Sequence, residues 1–174
     1  MRLLDLDEVW WLVSPQNPLK PADGMAPFRE RLAAAEAFVE EPRIRVTDIE
    51  QRLDTRFTAD TLAKLTRRCP GARFVWLMGA DNLALVHLWH DWHRIFTTVP
   101  VAIFDRAPYS FTCLASRAAI RFRRARVAAQ SARNLAEREA PAWTYLMGPR
   151  HPASASAVRA GTAAFRHAKA NCHG

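Results

Sequence analysis

Cysteine is scarce in this chain: Cys69, Cys113 and Cys172 are odd in number and far apart. Such a set suits neither a disulfide framework nor a thiolate metal site, and it points to a reduced interior. Lysine is as rare, since Lys20, Lys64 and Lys169 leave 22 of the 25 basic side chains as Arg. No apolar run approaches the ~20 residues of a membrane helix. The densest near the start, Val9-Trp10-Trp11-Leu12-Val13, is of strand length. No signal peptide is read, because Met1-Arg2-Leu3-Leu4 passes straight to Asp5, Asp7 and Glu8. These absences predict a cytoplasmic protein with no membrane partner. Low-complexity tracts and internal repeats are also missing, which excludes collagen-like and disordered classes. What remains is globular: 174 residues, 49% hydrophobic, enough for one domain with a real core.

The charge of +8 is concentrated in Arg, and many of these residues lie between Arg117 and Arg138. A basic surface of this kind serves nucleic acid or phosphorylated small molecules alike, so charge alone does not choose between them.

Along the chain, strand and helix patterns alternate. Val9 to Ser14, Phe74 to Met78 and Val99 to Phe104 read as strands buried on both faces, Ile44 to Ile49 as a half-exposed strand, and Thr144 to Met147 as a short last strand. Phe28, Leu32, Ala35 and Val39 recur at helical spacing ahead of Pro42. Thr58 is placed to cap a helix ending at Cys69-Pro70-Gly71. Residues 81–96 read as a helix or helical pair, 112–139 as largely helical, and 154–168 as a final helix. This is the pattern of an α/β, Rossmann-like parallel sheet with helices on both faces. In such sheets ligands collect beyond the carboxyl ends of the strands.

Those ends carry polar groups. Ser14 to Pro21 is a proline-stiffened loop presenting Lys20; Gly79-Ala80-Asp81-Asn82 follows one strand and Asp105-Arg106 another. Ser154-Ala155-Ser156 with Arg159 opens a helix, a natural anion site. Four stretches in order (Pro15 to Pro21, Phe57 to Leu62, Gly79 to Trp92, Ser154 to Arg159) resemble the bacterial nicotinate-nucleotide adenylyltransferases, of the nucleotidylyltransferase superfamily.

The resemblance implies adenylyl transfer from ATP to nicotinate mononucleotide in pyridine nucleotide (NAD) biosynthesis, with Mg²⁺ arriving with ATP. It assigns Lys20, Thr58 and Trp89 to the nicotinate nucleotide, and Gly79, Asp81, Arg106, Ser154, Ser156 and Arg159 to ATP. The signature Gly-Gly-x-Phe-Asp-Pro-x-His-x-Gly-His is not in this sequence. The expectation is therefore a single nucleotidylyltransferase-like domain over residues 1–174, N-terminally incomplete by a first βα unit of about 30 residues. No catalytic residue is identified, and weak activity and stability are expected.

Each site residue also has a plainer role. Asp81 is placed to be a capping or first-turn acid, Ser154 and Ser156 caps, and Trp89 with Trp92 one face of a helix packed on the core. His87, His90 and His93 diverge too far around a helix to make a metal site, and Arg117, Arg121 and Arg124 suit a solvated face. Two rival functions stand beside the enzyme: a basic nucleic-acid-binding module, and an inactive remnant serving as an interaction surface. A homo-oligomer is compatible with all three.

Overall fold

The computed structural model describes residues 1–15, 26–106 and 111–147. In chain order it contains β1 (Val9–Leu12), α1 (Phe28–Phe38), β2 (Ile44–Thr47), α2 (Ile49–Arg52), α3 (Thr58–Arg68), β3 (Trp76–Gly79), α4 (Ala80–Leu85), α5 (Trp92–Thr98), β4 (Val101–Phe104), α6 (Arg117–Arg121), β5 (Arg126–Val127) and β6 (Trp143–Leu146). Every strand pairing is parallel: β1 with β2 in one sheet, and β3-β4-β6-β5 in another. The α/β reading holds, but the strands divide into two sheets among the described residues. Between them, Trp10 meets Phe74 edge-on at 6.0 Å.

Alternation along the larger sheet shows that both faces are covered. Val101 and Ile103 of β4 join Met78, Trp143 and Tyr145 in one apolar cluster with helical residues Leu83, Ile95, Phe96 and Ala118. Ala102 and Leu146 point the other way, into a cluster with Leu4, Ala132 and Leu135. A strand buried on both faces favours apolar side chains throughout, as in β4; β6 carries one polar residue, the buried Thr144, whose hydroxyl donates to the Val127 carbonyl at 3.1 Å. Phe96 stacks on Phe122 at 4.7 Å, tying α5 to the end of α6.

One long helical expectation gives way. Residues 112–139 form a 3₁₀ turn, the five-residue α6, the two-residue edge strand β5 and further 3₁₀ turns. The reason is tertiary: the buried Trp143 Nε1 donates to the Phe122 carbonyl at 2.8 Å, and Val127 pairs with Thr144. Helix propensity in an Ala- and Arg-rich stretch is outweighed by these contacts. The 81–96 segment takes the helical-pair form of its reading: it breaks after Leu88, and Asp91, at φ 48°, turns the chain before α5. Trp89 and Trp92 therefore do not share one helix face. Thr58 is not the cap either; Phe57 holds that position without a side-chain cap, and Thr58 is the first helical residue. Among the described residues no helix is long and apolar enough to cross a membrane. The expected helix over 154–168 lies outside the described residues.

Candidate active site

Register brings three strand ends level. Gly79 of β3 pairs with Phe104 of β4, and Phe104 with Leu146 of β6, so the residues after them open on one edge of the sheet. From β3 the chain turns at Gly79 directly into α4, which places Asp81 in that helix's first turn. From β4 it runs to Asp105 and Arg106. Arg106 Nη1 reaches Asp81 Oδ2 at 3.3 Å. The other carboxylate oxygen, Oδ1, is buried with no hydrogen-bond partner among the described residues. Gly79 leaves room for this closeness: a Cβ there would sit 2.3 Å from Asp81 Oδ1 and push that carboxylate aside. Asp81 is thus a first-turn acid, as its plainer role anticipated, and also carries a free acceptor at the strand ends. Both statements describe one side chain.

Asp105 is engaged from the neighbouring strand, where Tyr145 Oη donates to its Oδ1 at 2.6 Å. Burial first, and this bond to the carboxylate second, push the Tyr145 phenol above its ordinary value. Burial and the Asp105 charge likewise raise the Cys113 thiol. Neither group is therefore poised for proton transfer or attack near neutrality.

A second group of residues gathers at the start of α3. Phe57 lies against His90 with ring centroids 4.3 Å apart, and Asp60 meets Arg94 at 3.5 Å. These contacts bring the helix that Thr58 begins beside the segment carrying Trp89. Trp89 is half-buried and packs on the core cluster. His90 faces Phe57 and Asp91, and no group of three or more His, Cys, Asp or Glu able to hold a metal occurs among the described residues. Arg117, Arg121, Arg123 and Arg124 are exposed, but α6 ends at Arg121, so Arg124 is not on its stripe. Lys20, Ser154, Ser156 and Arg159 lie outside the described residues.

One buried group escaped the sequence reading. Glu50, in the first turn of α2, is only 6% exposed. Burial pushes its carboxyl above the usual range, against hydrogen bonds with Ser14 and Thr61 that pull it down. An acid in the short stretch after an alternating strand looks like surface in the sequence; only the packing of α3 over it makes it interior.

The cytidylyltransferase-like family profile matches residues 1–161. The chain belongs to the cytidylyltransferase-like family. Curated relatives are close: a protein of Methylorubrum extorquens (strain PA1) is 48% identical over 91% of this chain and 86% of its own length. One of Parvibaculum lavamentivorans is 50% identical over 91% of this chain and 79% of its own. Both are named "Probable nicotinate-nucleotide adenylyltransferase", so the resemblance read from the four motif stretches holds. Among solved structures, a Plasmodium falciparum nicotinic acid mononucleotide adenylyltransferase complexed with NaAD superposes with a TM-score of 0.60 at 14% identity. That match covers 85% of this chain and 67% of that protein, and it supports the family's fold.

Proposed function

We propose that the protein transfers the adenylyl group of ATP to nicotinate mononucleotide, forming deamido-NAD and pyrophosphate, within NAD biosynthesis. An oxygen of the acceptor's phosphate attacks the α-phosphorus of ATP, and the bond from that phosphorus to the oxygen bridging to the β-phosphate breaks. Pyrophosphate leaves with the bond's electron pair. The reaction needs no protein nucleophile, so the chain's contribution is alignment and charge.

The observation that carries the reading is the Gly79–Asp81–Arg106 cluster at the level strand ends, with Asp81 Oδ1 buried and unpartnered among the described residues. A buried carboxylate oxygen with no donor calls for one, and a ribose hydroxyl is a fitting donor. Arg106 then lies against the adenine. Thr58, with the backbone at the start of α3, and Trp89 receive the pyridine ring and its carboxylate; a flat aromatic acid suits an indole face. Lys20 holds the acceptor phosphate, and Ser154, Ser156 and Arg159 the phosphates of ATP. Mg²⁺ enters as part of the nucleotide substrate, matched to its preference for phosphate oxygens and water. The relatives' shared name, over nine-tenths of the chain, supports the same substrates.

Thermal-shift titration tests the proposal. ATP and nicotinate mononucleotide should each raise the melting temperature in a saturable way, while duplex DNA at moderate salt should not. DNA binding that weakens steeply with salt, with no nucleotide-induced shift, would overturn the enzyme in favour of the basic-module reading.

A further inference from the structure

The proposed mechanism makes no use of Glu50, yet a carboxyl this deeply buried is costly to keep. Apolar replacement of buried charged groups is often neutral or stabilising, so its presence here asks for a role. Its position suggests one. Glu50 sits where three segments converge: the end of β1, the short α2 and the first turns of α3. The Ser14 side chain, two residues past β1, acts on its carboxyl and favours the ionised form against burial, while Oε2 is buried with no hydrogen-bond partner among the described residues. Its Oε1 is 3.5 Å from Thr61 Oγ1 in α3, and that hydroxyl is also 2.8 Å from Thr55 Oγ1 and 3.2 Å from the Phe57 carbonyl. Thr55 and Thr61 are themselves buried, so the cluster is shielded from water. On the far side of the strand end, Arg31 of α1 donates to the Ser14 and Pro15 carbonyls at 2.8 and 2.7 Å.

We propose that Glu50 is a positioning residue for the pyridine-nucleotide half of the site, joining the end of β1 to the start of α3 and so fixing where Thr58 and its backbone meet the ligand. The inference rests on the reading of the site given above. Glu50 acts through Ser14 and Thr61 and touches no substrate. Its carboxyl faces hydroxyls and apolar surface; among the described residues no charged group contributes to its titration. A neutral amide of the same shape keeps one acceptor oxygen for the Oε1 position that Thr61 meets. The Glu50 role therefore depends on shape and an acceptor oxygen, not charge. The ATP half of the site is built on β3 and β4, which this junction does not reach.

Calorimetric titrations of nicotinate mononucleotide and of MgATP separately, on the parent chain, Glu50→Gln, Glu50→Ala and Thr61→Val, test this. In Glu50→Ala the mononucleotide affinity should fall about tenfold as the start of α3 loses its tie to β1, while ATP affinity stays within about twofold. Glu50→Gln should retain both affinities. If Glu50→Ala does not fold, Thr61→Val carries the same expectation for the mononucleotide. Equal losses for both ligands, no loss for either, or a Glu50→Gln as impaired as Glu50→Ala would overturn the positioning role while leaving the proposed function standing. A parent chain that binds neither ligand would overturn the proposed function, and this inference with it.

Discussion

A single methyl group at Gly79 should disturb the nucleotide end of the site. The backbone there, at φ −79°, accepts alanine, so the cost falls on Asp81, whose Oδ1 would be 2.3 Å from the new Cβ. Gly79→Ala is expected to weaken ATP binding about tenfold with a stability change of about 1 kcal/mol or less, read by calorimetry and melting temperature. Unchanged ATP affinity would remove Asp81 from the ribose role. Glu50 gives a pH-dependent prediction. Its carboxyl titrates above the ordinary value of 4.5, so the folded chain keeps a proton that the unfolded chain has lost. Stability on this account is full below 4.5 and declines as pH rises toward the folded-state value. Glu50→Gln abolishes the decline, and its advantage in melting temperature over the parent should be absent in acid and grow toward neutrality. A constant offset across pH would contradict the burial of an ionisable group here. Arg159→Ala should cost more nucleotide affinity than Arg121→Ala, about 1.5–3 kcal/mol for a charged hydrogen bond to phosphate against little for an exposed guanidinium. Equal losses would reduce the segment from Ser154 to Arg159 to a helix cap. Of these residues, Gly79, Asp81 and Arg106 were legible as strand-end polar groups, because their position follows from local pattern alone. Glu50 was not, because nothing near it in sequence shows that α3 will cover it.

Elements were legible in proportion to how far their own residues determine them. β3 and β4 announce themselves as apolar runs, since a strand covered on both faces has no polar side. α3 combines a buried stripe of Ala59, Leu62 and Leu65 with Asp60 in its first turn and Arg67 and Arg68 in its last, all local signals. The 112–139 segment misleads because its Ala and Arg content favours helix while its partners lie more than fifteen residues away. Trp143 is the decisive one: 1% exposed, it donates its indole N–H to the Phe122 carbonyl where α6 ends. Trp143→Phe should therefore cost about 1–3 kcal/mol, for one buried hydrogen bond and the packing lost around a smaller ring, with the Phe122 carbonyl still accepting from the Ala125 N–H; it is measured as a lower denaturation midpoint. A loss well below this range would show that the 122–127 turn is held by the Phe96–Phe122 stack instead.

Across the whole molecule, the strongly basic composition and the parallel sheets make different statements, and the sheets carry the functional one. Arg117, Arg121, Arg123, Arg124 and Arg126 are exposed and suit long-range attraction of anionic substrates. On that account, raising ionic strength should slow nucleotide association more than it speeds dissociation, as stopped-flow measurements would show. Dissociation dominating the salt response would place the charge effect in the bound contacts. The alternation of apolar runs with amphipathic stretches was sufficient by itself to determine the α/β class, and the four motif stretches related the chain to its family by resemblance. The class follows from the period of side chains along a helix or strand, a property of neighbours in sequence. The tertiary structure alone decided that Arg106 meets Asp81, that Phe57 and His90 bring α3 beside Trp89, that the strands divide between two sheets, and that Glu50 is interior. Such facts depend on residues distant in the chain arriving at one place, and burial, pairing and the shift of a carboxyl exist only once they have.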